Sequence, residues 1–206
     1  MLNTKQIYLL RHGEILTGKD KRYIGQTNVP LNSKGLRQAL WWKKELSQVN
    51  FEGIYCSDLA RALDTTKRVA NMDESHIHIL PQLREIDLGG WDGETMENIK
   101  IRFPDAWKDR GRRMDSFKTP NGESFQDLHD RVIPVFQNII LEMTGDVLIV
   151  GHAGVNRVIL SHVLEKPIRE LLNIPQEYAA LNLIEIQKGV PVALTVNRTP
   201  PQGQAL

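Results

Sequence analysis

Residues 7–14 read IYLLRHGE. The short apolar run has the shape of a buried strand. A strand that simply turned at the surface would more often stop in Gly, Pro, Asn or Asp. This one ends in an arginine and a histidine side by side, then a glycine that needs no Cβ clearance, then a glutamate. Taken alone, the octapeptide equally fits a strand end with a solvated Arg and a half-buried His. The surrounding chain decides between the two.

Working outward, period-2 and continuous apolar runs predict strands near 6–10, 53–56, 77–80, 147–150, 181–187 and 192–196. Helical patterns lie between them. Ser33 is placed to cap a helix running to about Gln48, with Leu36, Ala39, Leu40, Lys43 and Leu46 on one side. Ser57 is placed to cap a second and Ser124 a third, the latter with a stripe of Leu128, Val132, Val135, Phe136, Ile139 and Met143. A fourth follows Gly154. Strands alternating with helices predict an α/β fold, a three-layer α/β/α sandwich around a mostly parallel sheet. Residues 1–206 read as one domain, and 88–122, rich in glycine and carrying Trp91, Trp107 and RGRR, as a lid-like insertion with short helices over one edge of the sheet. The tail RTPPQGQAL is expected to fray.

Composition narrows the class. The chain has 206 residues, 41% apolar and 25% charged, which is globular. With 26 basic and 25 acidic residues the net charge is +1, so a nucleic-acid partner gripped by bulk charge is disfavoured. The single Cys56 excludes an intramolecular disulfide and a multi-cysteine metal site, and reads as a small buried hydrophobe. No signal-peptide pattern and no membrane-length apolar run is present, so a soluble cytoplasmic protein is expected.

In open parallel sheets, functional residues gather past the carboxyl ends of the strands. Arg11 and His12 leave the first predicted strand; YCSDLARALDT puts Ser57 at the end of another, with Arg61 in the following helix. LPQLREIDLGGWDG puts Arg84 and Glu85 beyond a third, and VLIVGHAGVNRV puts His152 at the end of a fourth. Four segments therefore aim Arg, His, Arg, Glu and His at one edge. Converging arginines and histidines describe a pocket for a compact oxyanion, with helix N-termini after Ser57 and His152 adding backbone donors. A neutral imidazole there can attack phosphorus as a nucleophile, and neighbouring cations help keep His12 unprotonated. His152 could hold the non-bridging oxygens as they gain charge, and Glu85 is the carboxyl that strand-end placement offers as proton donor.

LLRHGE, RYIGQTNVPLNSKGLRQA, YCSDLARALDT, LREIDLGGWDG, TPNGES and GHAGVNRV together resemble the histidine phosphatase superfamily, in its phosphoglycerate mutase-like branch. The resemblance runs from about Gln6 to Asn197 and implies the three-layer fold. It implies His12 as nucleophile, His152 and Glu85 as its catalytic partners, Arg11 and Arg61 as phosphate ligands, and Gly25 and Gln26 as substrate contacts. It implies no metal and no organic cofactor. Mutases of the family usually carry an Asn a few residues after RHGE and a Thr before the Gly of the RY-x-G stretch. This chain has ILTG and Ile24 at those places. RYIGQTNVPL and HAGVNR look closest to the alpha-ribazole phosphatases of cobalamin assembly and their broad relatives. The expected function is hydrolysis of a small soluble phosphate ester through a phosphohistidine, alpha-ribazole 5'-phosphate being one substrate of that kind. The alternatives are a phosphoglycerate mutase and a non-catalytic phospho-ligand binder. The expected partners are that ester and at most a second copy of the chain in a homodimer, with neither nucleic acid nor membrane.

Other features read as structural. His76 and His78 could share a strand face, but two ligands without a third make a poor metal site. RGRR reads as a solvated run, Arg84 as half of an ion pair at the sheet edge, and Trp41 and Trp42 as packing. Trp91 and Trp107 are placed to line the substrate pocket.

Overall fold

The apolar run of the opening octapeptide forms strand β1 (Lys5–Arg11), and its side chains serve two cores. The structure is a computed structural model that describes residues 4–18 and 20–201; the end of the tail, from 202, lies outside the described residues. Ile7 and Leu9 join one apolar cluster and Leu10 the other. Strand β4 (Asp146–Gly151) repeats the division, with Val147 and Ile149 on the first side and Leu148 and Val150 on the second. This is why both strands are continuously apolar rather than alternating.

The other described strands are β2 (Phe51–Cys56), β3 (His78–Ile79), β5 (Leu181–Gln187) and β6 (Val190–Arg198). They form one sheet in the order β3-β2-β4-β1-β5-β6. The pairs β1–β4, β2–β4 and β2–β3 are parallel, while β5 and β6 extend the sheet antiparallel beyond β1. Helices α1 (Ser33–Glu45) and α2 (Ala60–Ala70) cover the Leu10 side through Ala39, Trp42, Ala62 and Val69. Helices α5 (Phe125–Glu142) and α6 (Ala153–Val163) cover the Ile7 side through Leu128, Val132, Phe136, Val155 and Ile159. The expected three layers are present.

Local chemistry explains the helix starts, with two corrections. Ser124 caps α5 in a reciprocal box with Asp127, an arrangement worth about 1 kcal/mol. Helix α1 is capped by Asn32, not Ser33: the Asn32 side chain accepts from Gly35 N at 2.9 Å. Its buried face carries Trp42, and Leu40 points outward. Helix α2 starts at Ala60 behind Leu59, whose side chain cannot cap it; the Ala60 N–H donates instead to Asn28 Oδ1 at 2.8 Å, and the Ser57 hydroxyl meets His152.

Within 88–122 the chain forms a 3-10 turn (Gly89–Trp91) and helices α3 (Met96–Arg102) and α4 (Pro104–Arg112). Trp91 and Ile99 are fully buried in the core shared with α5 and α6. Trp91 therefore packs in the interior, 5.4 Å from Tyr23 between ring centroids, and is not a pocket wall. Cys56 is buried, and burial raises its thiol to about 11, as befits a structural residue. His76 lies in a 3-10 turn ahead of β3, so it does not share a strand with His78. Among the described residues no group of three metal-binding side chains comes together.

Candidate active site

β1 ends between two neighbours, and both tie down His12. Its N–H donates to Gly151 O at the end of β4 (3.1 Å), and its carbonyl accepts from Ala179 N just before β5 (3.0 Å). The chain then passes so close to α1 that a Cβ on Gly13 would lie 2.6 Å from Gly35 O. Glycine at 13 is thus a steric requirement, which accounts for the RHG order. Gly13 N donates to the Thr65 hydroxyl (3.1 Å) and locks this turn to α2.

The His12 ring is 3% exposed, and its Nδ1 lies 2.8 Å from Gly13 O. A carbonyl only accepts, so Nδ1 carries the proton and the neutral ring keeps its lone pair on Nε2. Burial above all, then the charges of Arg11 and Arg61, hold His12 well below the ordinary imidazole value of 6.5. The cations anticipated from the sequence do act, but desolvation is the larger cause.

His152 follows β4, with its ring centroid 5.1 Å from that of His12. Burial, then Arg61, His12 and Arg11, likewise keep it well below 6.5. Its Nε2 lies 2.7 Å from the Ser57 hydroxyl. Ser57 therefore orients a site histidine instead of capping a helix. The sequence held no signal for this, because the partner is distant along the chain.

Arg61, in the first turn of α2, is 1% exposed. It donates to Gly25 O (2.6 Å) and Thr27 O (2.8 Å), so Gly25 reaches the site through its backbone. Asp92 in turn accepts from Gly25 N and Thr27 N at 2.9 and 2.8 Å. The Gln26 amide donates to the backbone carbonyl of Glu85 at 3.2 Å. Arg11 donates to Gln176 O at 2.6 Å and stacks 3.9 Å from the centre of the Tyr178 ring, which also flanks His12 at 5.7 Å.

The buried Glu85 carboxyl accepts from Gly154 N at 3.1 and 3.0 Å and from Ile86 N at 2.9 Å. A Cβ on Gly154 would lie 2.4 Å from its Oε1. The start of α6, expected to present donors to an oxyanion, thus gives Gly154 N–H to Glu85. Charge on Glu85 acts on both Arg11 and Arg61, so carboxyl and guanidinium groups share one neighbourhood. Arg84 points away from it and grips Asp58 in a two-pronged ion pair, with Nε 2.7 Å from Oδ1, as the sequence suggested.

Among the described residues, five buried side-chain polar atoms lack a protein partner, and three are Arg11 Nε, Arg61 Nε and His152 Nδ1. Unpaired buried polar atoms are costly, and three of the five fall on side chains that the sequence picks out for the phosphate pocket, where they are free to bind an anion. Sequence reasoning missed Thr65, Gln176 and Tyr178. The last two lie on the loop into β5, and only the antiparallel pairing of β5 with β1 carries that loop to His12.

Comparison with known proteins finds relatives along nearly the whole chain. The family model of the histidine phosphatase superfamily (branch 1) matches residues 7–199. The 6-phosphofructo-2-kinase/fructose-2,6-bisphosphatase of Caenorhabditis elegans is 30% identical over 167 residues, covering 81% of this chain but only 36% of that protein. The adenosylcobalamin/alpha-ribazole phosphatase of Salmonella typhimurium is 26% identical over 193 residues, covering 93% of this chain and 96% of that protein. The crystal structure of the alpha-ribazole phosphatase from Shigella flexneri superposes with a TM-score of 0.85 at 25% identity, covering 94% of this chain and 96% of that one.

Proposed function

Because this chain belongs to the histidine phosphatase superfamily, we propose that it hydrolyses a small phosphate monoester through a phosphohistidine at His12. The observation that carries this reading is the buried, neutral His12, whose Nε2 lone pair is left free by the Nδ1 contact to Gly13 O. In the proposed reaction Nε2 attacks phosphorus and the P–O bond to the leaving group breaks. Arg11, Arg61 and His152 hold the non-bridging oxygens. The Glu85 carboxyl gives its proton to the departing oxygen. Water then attacks the phosphohistidine and returns a proton to Glu85, and the P–N bond breaks to release phosphate. No step calls for a metal ion or an organic cofactor.

Gly25 and Gln26 are proposed as the edge of the substrate site, supported by their contacts to Arg61 and Glu85. Residues 88–122 are proposed as the lid-like segment that selects the alcohol. Asp92 supports that reading, because it joins the segment to the 25–27 loop. The site is proposed to work in the cytoplasm on a soluble substrate; no helix among the described residues is long and apolar enough to cross a membrane.

The test combines rapid quench with a substrate panel that includes alpha-ribazole 5'-phosphate, glycerol phosphate and 3-phosphoglycerate. An acid-labile, alkali-stable phosphoenzyme is expected in the native protein and absent from His12→Ala, with inorganic phosphate as product. Rapid conversion of 3-phosphoglycerate to 2-phosphoglycerate with little phosphate released would make it a mutase. Binding without turnover of any ester would make it a phospho-ligand receptor.

A further inference from the structure

The motif TPNGES and the α5 residue Arg131 take no part in the reaction as described, yet the structure joins them to Glu85. Arg131 spends all five of its N–H donors. Its Nε and Nη2 grip Glu123 as a fork, at 2.8 Å to Oε1 and 2.7 Å to Oε2. Its Nη1 donates to Gln82 O (2.7 Å) and Arg84 O (3.1 Å), and Nη2 also reaches Glu85 O (3.4 Å). Three backbone carbonyls within four residues, the last that of Glu85 itself, are thus bound to one guanidinium. Glu123 closes the loop from the other side: Oε2 accepts from Asp87 N at 3.0 Å, and its own N–H donates to Asp87 O at 2.8 Å. The pair is about one-fifth exposed, so solvent competes weakly for these bonds.

Glu85 is in this way held at both ends. Gly154 and Ile86 fix its carboxyl, and the Arg131–Glu123 pair fixes the chain on which it rides. We propose that Arg131 and Glu123 form a clip that positions the Glu85 carboxyl for proton transfer, making them positioning residues for the leaving-group step rather than general supports of the fold. The inference rests on the reading of Glu85 as proton donor. Lysine cannot replace the fork, because a single ammonium cannot serve two carboxylate oxygens and three carbonyls at once.

A clip of this kind matters only when the leaving oxygen needs its proton. An alkyl phosphate such as butyl phosphate needs it; 4-nitrophenyl phosphate, with an acidic leaving group, needs it far less. Arg131→Lys is expected to lower kcat/KM on butyl phosphate about tenfold and on 4-nitrophenyl phosphate by less than about twofold, since a small misplacement of an acid costs the step it serves. In a Glu85→Gln background the same substitution should leave the butyl phosphate rate unchanged, because no acid remains to be positioned. Equal losses on both esters, or a full additional loss in the Glu85→Gln background, would overturn the clip. Glu123→Gln, nearly isosteric, is read by the same two comparisons should Arg131→Lys fail to fold. If Glu85→Gln itself treats the two esters alike, the proton-donor reading falls and the clip falls with it. If Glu85→Gln separates them and neither clip variant does, the clip alone is wrong.

Discussion

Around His12, side chains are buried and cross-braced: Arg61 binds two carbonyls, His152 meets Ser57, and the Glu85 carboxyl accepts two backbone N–H groups. Across 88–122 the buried apolar side chains are Leu88, Trp91 and Ile99; Met96, Ala106 and Trp107 of α3 and α4 are half-buried against them, and most of the remaining helix surface is exposed. The ion pairs there, Arg113 with Asp109 and Arg102 with Glu94, lie at the surface. Buried bonds in a low-dielectric setting fix positions; exposed pairs are solvated on both sides and fix little. The pocket is therefore built to hold one geometry, while the surface of the insertion can vary without disturbing it. Under the function proposed above, this contrast becomes a division of labour, with phosphate chemistry assigned to the first region and selection of the alcohol to the second.

The largest effect expected from this contrast is at Arg61. Arg61→Ala should lower kcat/KM by about 10²–10³-fold, the usual cost of losing a donor to developing oxyanion charge. The loss should be equal for alkyl and aryl phosphates, since charge on the non-bridging oxygens does not depend on the leaving group. It should also lower stability, because the Gly25 and Thr27 carbonyls lose their partner. Steady-state kinetics on both esters with a urea titration checks each part. A loss confined to alkyl esters would place Arg61 with the acid and not with the phosphate.

A pH titration probes the same contrast more gently. His12 and His152 have values lowered well below 6.5 in the folded chain, chiefly by burial. The unfolded chain then binds protons that the folded one refuses, so stability is fully present above about pH 6.5 and is lost as pH falls below it. The limiting slope is about 1.4 kcal/mol per pH unit for each histidine. The insertion contains no histidine, so the slope belongs to the pocket and the rest of the chain. His152→Asn should flatten the fall in urea midpoint between pH 6.5 and 5; an unchanged slope would mean that His152 is not held neutral. Protonation of His12 should lower kcat/KM only at a pH well below 6.5, since its value is shifted in the same direction.

The smallest effect belongs to the surface of the insertion. Asp109→Asn removes the partner of Arg113 on α4 and should leave both the thermal midpoint and turnover of 4-nitrophenyl phosphate unchanged within error. A clear loss of either would show that the exposed pair is tied to the pocket after all, and would erase the contrast.

Much of the molecule was legible from its residues alone. Strands β1, β2, β4 and β5 follow from apolar runs of the right length, and the start of α5 follows from the Ser124–Asp127 box, because these are local preferences of short segments. His12, Arg61, Glu85 and His152 could be singled out because an α/β sheet must deliver strand ends to one edge, and each follows such an end. What the sequence could not say is which partner each group takes. Ser57 looked like a cap because serine before a helix usually is one; the pairing of β2 with β4 lets it meet His152 instead. Tyr178 and Gln176 reach Arg11 through the antiparallel pairing of β5 with β1. Arg131 reaches Glu85 only because α5 packs beside the turn that follows β3. Periodicity and capping are written in consecutive residues and survive reading one at a time, whereas a hydrogen bond between residues 46 or 95 apart depends on where the whole sheet and its helices come to rest.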